Sequence, residues 1–357
     1  MSGTKSSYIM SPTEERDMLQ LMRGFAILLV VLQHSVVLFF NSNASMIFIS
    51  ICVFIDVHIF MFVSGYLFQK KSDAYYQMGI KRFTLKKFKS LGVPYLFWES
   101  VLFFGAYILY RLPFSGGASL MEAIDFQKLS LPQIFIGLLT FRYSYVELYW
   151  FLFALFWVFL INYSCGKFSC RIEFILLFFV LFSVLAVVFK SDDYILTKTG
   201  RSFLTFGLGR LFQKYRLERH LFKNWLIIPA SIAAFYMVFK VPVPEENEYL
   251  YKILFSFRLT LMGMIGIIFF FVVSSFLIVC PSKLTGLILF LGNYSLPIYL
   301  LHNPWIVHVS SIVFKKLSMP SPVGSALSFA LGLTLPILLY KYVMKKTPAL
   351  SRIMLGI

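Results

Sequence analysis

The sequence predicts an all-α, polytopic integral membrane protein with about ten transmembrane helices and cytoplasmic N- and C-termini. Hydrophobic residues make up 59% of the 357-residue chain and charged residues only 14%, whereas a soluble domain usually has about 25% charged residues. The apolar residues form long continuous runs, unlike the alternating segments of a membrane barrel. Lipid allows only helices or closed barrels to cross it, and a crossing helix needs roughly 20 apolar residues. The runs therefore predict spanning helices.

The first predicted span, residues 21–40, follows a charged N-terminal segment, residues 1–20. No small-residue cleavage site comes after this span, so it is interpreted as a retained helix and not as a signal peptide. The next two spans, residues 46–68 and 91–111, enclose the most basic segment of the chain, residues 69–90. We expect this segment to face the cytoplasm.

Seven further runs complete the set. The run at residues 202–215 contains glycines and ends in basic residues, so it is expected to be short, tilted or re-entrant. No loop is long enough to hold a folded soluble domain. The chain is therefore divided into the segment 1–20, one transmembrane domain at 21–345 and a cytoplasmic tail at 346–357. The remaining predicted spans are 146–163, 172–189, 225–240, 253–279, 286–314 and 323–343.

The net charge of +17 could suggest a nucleic-acid partner, but the positions of the basic residues argue against one. Most Lys and Arg residues fall on the segments that a cytoplasmic N-terminus places inside, as the positive-inside rule requires. The dense segment 69–90 has two open interpretations. It is a topology signal that touches anionic lipid, or it is a site for a polyanionic ligand.

The four cysteines predict neither a metal site nor a disulfide framework. Cys52, Cys165, Cys170 and Cys280 have no ligand spacing with histidine, so they are interpreted as small apolar residues of the core. We expect no bound metal.

Seven ionisable residues interrupt the apolar runs. Such residues are costly in lipid, so each is expected to face the protein interior or a wet cavity. Glu99 and Arg258 are interpreted as intramembrane partners or snorkelling residues. Asp56 and His58 are two positions apart, about 200° around a helix, so they cannot share one site. The complete set is Arg23, His34, Asp56, His58, Glu99, Arg258 and His302.

Arg23 and His34 are the most informative pair. Eleven residues at about 100° each return to nearly the same face, about 16 Å further along the helix. An arginine binds phosphate well, and a neutral imidazole can take a proton from a hydroxyl near pH 7. The pair fits a passage for an anionic molecule. The structural alternative is a snorkelling arginine and a histidine bonded to a neighbouring helix.

His302 lies one turn after Tyr299, between Pro297 and Pro304. Two prolines are expected to kink this helix and to free backbone carbonyl groups, which membranes tolerate where protein or a cavity can satisfy them. His302 is interpreted equally well as a functional residue or as a structural one.

Five segments in order resemble the motifs of a known family. Residues 23–34 hold an arginine and a histidine with ten residues between them. Four later segments resemble further motifs of that family: residues 60–68, 81–83 together with 91–98, 149–152 and 291–302. On these segments the chain resembles the acyltransferase family 3 membrane proteins over about residues 19–345. One difference is Ser90, since many relatives carry an arginine at that position, before the Leu-x-x-Pro-Tyr motif.

The resemblance implies an acetyl-CoA-dependent O-acetyltransferase of the bacterial inner membrane that modifies a cell-surface glycan or a lipid-linked sugar. Acetyl-CoA would be the donor, and no metal is needed. The implied partners are the donor, the acceptor sugar and membrane lipid, without nucleic acid. His34 is the implied general base, with Arg23 and His302 as further catalytic residues. The implied donor-binding residues are Arg23, Arg82 and Lys86. The implied acceptor-binding residues are His58, Ser64 and Tyr299.

Two other classes of protein remain open at this stage. A proton-coupled transporter or exporter of a lipid-linked or polysaccharide substrate could use the same intramembrane histidines and arginine as a relay. The sequence contains no visible internal repeat of the kind found in many carriers, which counts weakly against this class. A membrane scaffold or sensor would leave the buried polar residues unexplained.

Overall fold

The computed structural model describes residues 10–111, 149–167, 194–243 and 248–356, together with residues 130, 132–133 and 136–137. Within these residues the chain is helical and contains no strand. The main helices, in chain order, are α1 Pro12–Val37, α2 Asn43–Lys70, α3 Ser72–Met78, α4 Ile80–Lys87, α5 Val93–Arg111, α6 Trp150–Lys167, α7 Tyr194–Tyr215, α8 Glu218–Leu221, α9 Ile227–Lys240, α10 Glu248–Val279, α11 Lys283–Asn293, α12 Ser295–Leu301, α13 Val307–Lys316, α14 Ser321–Tyr342 and α15 Pro348–Leu355.

Five stretches of the described helices are long and apolar enough to cross a membrane. They are Pro12–Val37, Asn43–Lys70, Trp150–Lys167, Ile253–Val279 and Ser321–Lys346. A sixth span results if the pair Lys283–Asn293 and Ser295–Lys316, bent by 62°, is counted as one. The all-helical, multi-spanning prediction is thus confirmed in its coarse form. The count of ten and the cytoplasmic termini stay predictions.

The predicted boundaries hold in part. Residues 146–148 and the fifth predicted span, 172–189, lie outside the described residues. The predicted span 202–215 is the C-terminal part of α7, which begins earlier than expected, at Tyr194. The predicted span 225–240 corresponds to the 14-residue helix α9. Residues 348–355, predicted as tail, form helix α15.

Helix α1 begins nine residues before the predicted span at residue 21. Pro12 occupies its first turn, where the missing N–H costs nothing. The Ser11 hydroxyl accepts from the Glu14 N–H at 3.2 Å, and the Glu14 carboxylate accepts from the Ser11 N–H at 2.8 Å. This capping box stabilises the polar first turns, which hydropathy alone does not detect.

Glycines let α2 approach its neighbours closely. A Cβ atom at Gly65 would overlap the carbonyl oxygen of Phe206 on α7, and one at Gly209 would overlap the carbonyl oxygen of Phe62 on α2. Small residues permit this backbone contact between helices in lipid. The glycine pair Gly65 and Gly209 therefore forms the crossing point of α2 and α7.

The single predicted span 286–314 is broken. Helix α11 ends at Asn293, α12 runs only to Leu301, and a π-helical turn, His302–Ile306, precedes α13. Asn303 leaves the helical conformation, with φ −133° and ψ 138°. The kink expected from Pro297 and Pro304 is present, but it interrupts the helix instead of only bending it.

The basic segment 69–90 folds into α3 and α4. Phe83 of α4 is completely buried, whereas Arg82 and Lys86 are exposed. The Lys87 ammonium lies 3.4 Å from the centre of the Phe159 ring, with the Tyr75 ring at 5.1 Å. Burial, with Lys86 and Lys71 nearby, lowers the pKa of Lys87 to about 7. One lysine thus docks the basic helix on α6 by a cation–π contact.

Candidate active site

The candidate site lies where the helix is interrupted after α12. Pro304 has no backbone N–H, and Asn303 is extended, so carbonyl groups of the preceding turn lose their helical donors. A π-helical turn inside a helix is frequently found at functional sites. Buried carbonyl groups need other partners, and a side chain supplies them here.

His302 is that side chain. Its Nδ1 atom lies 2.8 Å from the Tyr299 carbonyl oxygen and 2.9 Å from the Ile298 carbonyl oxygen, which also accepts from the His302 backbone N–H. Since carbonyl oxygens only accept, Nδ1 must carry a proton. The residue is 1% exposed, and its Nε2 atom has no hydrogen-bond partner among the described residues. In the neutral imidazole, Nε2 is therefore a buried proton acceptor with an unused lone pair.

His34 of α1 faces His302. The two ring centroids are 5.3 Å apart and the ring planes are tilted by 51°. The Asn303 Nδ2 atom lies 3.3 Å from the His34 Nδ1 atom. An amide nitrogen donates, so His34 Nδ1 accepts and the proton of this neutral ring is on Nε2. In this pair, one imidazole thus has an acceptor nitrogen at Nε2 and the other a donor nitrogen at Nε2.

Several aromatic side chains pack around both sides of the break. The Tyr149 hydroxyl donates to the Leu300 carbonyl at 3.1 Å and accepts from Trp305 Nε1 at 3.2 Å. The Trp98 ring stacks on Tyr149 with centroids 6.2 Å apart. Tyr299, which is buried, packs edge-on against Phe151 at 5.4 Å. These large side chains cover the region next to His302, which is buried.

Two buried carboxyl groups lie on the apolar helices α2 and α5. Asp56 of α2 accepts a hydrogen bond from Gln33 Nε2 at 2.6 Å and is 1% exposed. Glu99 of α5 is equally buried. Gln33 directly precedes His34, so the Asp56 contact fixes α2 against the helix that carries one of the two imidazoles.

Arg23 stands on the same unbroken helix as His34 and is half-buried. Its guanidinium donates to Gln20 Oε1 at 3.1 Å, and Gln20 Nε2 donates to Asn293 Oδ1 at 2.6 Å. Within the described ranges, no carboxylate lies within salt-bridge distance of Arg23. A partly buried cation with unused N–H donors is suited to an anionic ligand.

The remaining predicted site residues are not brought to the imidazole pair. His58 Nδ1 lies 3.5 Å from the Thr205 hydroxyl, and its ring lies against Gly263 of α10. Ser64 is half-buried. Arg82 and Lys86 are exposed on α4. Of the acceptor-binding predictions, only Tyr299 is next to the pair, with its ring 6.1 Å from that of His302.

Arg258 has a structural partner. Its guanidinium donates to the carbonyl oxygens of Phe239 and Val241 at the end of α9. The last carbonyl groups of a helix lack internal donors, and a cation there also complements the helix dipole. The interpretation of Arg258 as an intramembrane structural partner agrees with this contact.

Sequence reasoning missed four polar residues. Asn303, Tyr149 and Trp305 fix the break, and Arg210 is buried on α7, donating to Asn162 Oδ1 at 2.8 Å. Arg210 could have been found, because it is an arginine inside an apolar run next to Gly209. The partners of Tyr149 and Trp305 could not, since the two residues are 156 positions apart.

The comparisons with known proteins give one family. The model of a family described as an acyltransferase domain matches residues 17–341, which is nearly the whole chain. No curated protein and no solved structure matches. The matched segment contains Arg23, His34 and His302 and ends before α15.

Proposed function

The chain belongs to the acyltransferase domain family, and from this premise we propose that it moves an acetyl group from acetyl-CoA to a sugar hydroxyl. The acceptor is a hydroxyl of a cell-surface glycan or of a lipid-linked sugar. The observation that carries the proposal is the pair His34 and His302, in which a buried Nε2 acceptor without a hydrogen-bond partner among the described residues belongs to a ring that faces a second neutral imidazole.

The proton transfers are proposed as follows. His302 Nε2 takes the proton of the sugar hydroxyl while the hydroxyl oxygen attacks the thioester carbonyl carbon. The new C–O bond forms, and the carbonyl oxygen becomes an oxyanion. When the tetrahedral intermediate collapses, the C–S bond breaks and the CoA thiolate receives the proton from His302. A positioned base of this kind typically contributes 10²–10⁴-fold to a rate.

His34 has the complementary part in this proposal. Its Nε2–H can donate to the oxyanion, and preorganised donors of this type are worth about 10²–10³-fold. The sequence predicted His34 as the general base. The Asn303 amide on His34 Nδ1 and the two carbonyl groups on His302 Nδ1 favour the reverse assignment.

The donor is proposed to approach from the cytoplasm, at the end of the bundle that carries α4. Arg23 would bind a phosphate group of acetyl-CoA, with Arg82 and Lys86 as exposed charges that attract the anion. A bacterial inner membrane with both termini inside fits this direction. On the acceptor side, the position of Tyr299 beside His302 supports a role in holding the sugar. His58 lies beside Thr205 and Gly263, so we include neither His58 nor Ser64 in the proposed site.

The proposal is tested by transfer of radiolabel from acetyl-CoA in inverted membrane vesicles. Wild-type protein is compared with His302→Asn, His34→Asn and the control His220→Asn, since His220 is exposed on α8. We expect alkali-labile label in glycan with the wild type and the control, and a loss of at least a hundredfold with the other two.

Different failures have different meanings. Loss with His34→Asn but not with His302→Asn would return the base to His34. Absence of transfer by the wild type, although acceptor is supplied, would remove the enzyme proposal. Transport of unaltered solute would then become the function to measure.

A further inference from the structure

Helix α15 lies beyond the segment matched by the family model, yet it is docked on the bundle. Leu355 is completely buried, and the Ser351 hydroxyl donates to the Met344 carbonyl at 2.7 Å. A Cβ atom at Gly356 would overlap the carbonyl oxygen of Ser90. Docking of this closeness fixes the end of α15 against the start of α5.

The contact with α5 is a specific hydrogen bond. Trp98 Nε1 donates to the Met354 carbonyl oxygen at 2.9 Å. The last four carbonyl groups of a helix have no internal donor, and a buried indole N–H needs an acceptor. Trp98 is 5% exposed. Each group therefore satisfies the other, and the indole plane is held in one orientation.

Trp98 transmits this orientation to the break after α12. Its ring stacks on Tyr149 at an interplanar angle of 28° and lies 5.8 Å from the Trp305 ring. The Tyr149 hydroxyl is bonded to Leu300 on one side of the break and to Trp305 on the other. His302 is between these two residues, so a single hydroxyl fixes both sides of the backbone that carries the imidazole.

We propose that α15 is a working part of the transfer site, because it positions His302 through Trp98 and Tyr149. Trp98 and Tyr149 are positioning residues, and neither is assigned a contact with the reacting atoms. The proposal rests on the proposed acyl transfer, since it describes how the base of that reaction is held. A displacement of about 1 Å at a reacting group can cost roughly a hundredfold in rate.

The first test compares two pairs of variants. Trp98→Phe keeps an aromatic ring but removes the N–H donor, and its control is Trp157→Phe, because Trp157 is 43% exposed on α6. Leu355→Ala loosens α15, and its control is Ile353→Ala, because Ile353 is 45% exposed on the same helix. We expect kcat to fall about tenfold or more in the first member of each pair, with KM for acetyl-CoA unchanged and both controls at wild-type rates.

The second test reads the coupling without activity. Hydrogen exchange of the peptide covering residues 295–306 is expected to speed up in Trp98→Phe and Leu355→Ala, and to stay at the wild-type rate in both controls. If transfer by the wild type were absent, the proposed function would fail, and the exchange comparison would still decide whether α15 is coupled to the break.

A double-mutant cycle separates positioning from general destabilisation. Because both residues act through the same contact, Trp98→Phe combined with Tyr149→Phe should lower kcat no further than Tyr149→Phe alone. Multiplicative effects on kcat, or unchanged exchange at residues 295–306 in both α15-directed variants, would overturn the proposal.

Discussion

The helical backbone is intact where α2 crosses α7, whereas it is interrupted between α12 and α13. At the crossing, Gly65 and Gly209 remove side chains so that two intact helices touch. The backbone groups there keep their hydrogen bonds within their own helix. At the break, Asn303 leaves the helix, His302 Nδ1 contacts the Tyr299 carbonyl oxygen, and the Tyr149 hydroxyl donates to the Leu300 carbonyl oxygen.

The difference shows where a membrane protein can place reactive groups. Intact helices satisfy their own hydrogen bonds, so a glycine crossing needs no polar side chain. A broken helix must recruit polar side chains, and the geometry that satisfies Nδ1 of His302 leaves its Nε2 available. Substitutions at the glycine crossing are therefore expected to change mainly stability, and substitutions at the break are expected to change mainly activity.

The largest effect is expected at His302. His302→Asn keeps a donor near the position of Nδ1 but removes the free acceptor, so kcat should fall 10²–10⁴-fold, which is about 3–5 kcal/mol of barrier. The thermal midpoint in detergent should stay near that of the wild type. His302→Phe removes both functions and should lower activity and midpoint together. A His302→Asn enzyme with more than a tenth of wild-type kcat would contradict the role of the break in activity.

The second effect is expected at the glycine crossing. Gly65→Ala forces the backbones of α2 and α7 apart, which should destabilise the protein by about 1–3 kcal/mol and reduce the yield of folded protein. The control is Gly286→Ala, because a Cβ atom there meets nothing within 4 Å. This control should gain about 0.5–1 kcal/mol as helix entropy improves. Thermal midpoints in one detergent measure both, and a neutral Gly65→Ala would contradict the packing described above.

Arg23 sharpens the comparison because it stands beside a second close crossing, that of Gly24 with α11. Arg23→Gln removes the charge without adding bulk, so KM for acetyl-CoA should rise about tenfold with little change in the thermal midpoint. Arg16→Gln is the control, since the Arg16 side chain is 72% exposed. An unchanged KM would remove Arg23 from the donor site.

The smallest effect is expected at Lys87, which belongs to neither region. Its pKa in the folded protein is about 7, below the 10.5 of a free lysine, because it is buried next to Lys86 and Lys71. Between about pH 7 and 10.5 the unfolded chain binds a proton that the folded protein does not, so stability should rise with pH. Below pH 7 both states are protonated and the penalty is complete.

Lys87→Met tests this sign. Relative to the wild type, the variant should lose the rise of the thermal midpoint with pH above about 7, whereas Lys81→Met, exposed on the same helix, should keep it. Equal slopes in wild type and Lys87→Met would mean that the ammonium is not buried against Phe159.

Much of the fold could be predicted from local sequence properties. The lengths of the apolar runs predicted helices such as α2 and α14. The start of α1 was placed too late, because the capping box around Ser11 lies in a polar stretch. The span 286–314 was predicted as continuous because prolines indicate a kink but do not specify which residue leaves the helix.

The candidate site could be predicted only by residue type. The cost of ionisable groups in lipid selected His34, Arg23 and His302 without any partner being known. The roles of the two imidazoles depended on the atoms that each nitrogen meets. Asn303 was overlooked because an asparagine before a proline has many ordinary explanations.

The sequence by itself determined the membrane environment of this protein, its helical class, its family and the short set of intramembrane polar residues. The environment, the helical class and the polar set follow from composition and from spacing along single helices, and the family follows from the motifs that five segments resemble; all of these are local properties. The tertiary structure decided that His34 faces His302, that Nε2 of His302 meets no hydrogen-bond partner in the described part of the chain, and that Trp98 contacts both α15 and the side chains at the break. These contacts join residues hundreds of positions apart, and only the packing of the whole bundle brings them together.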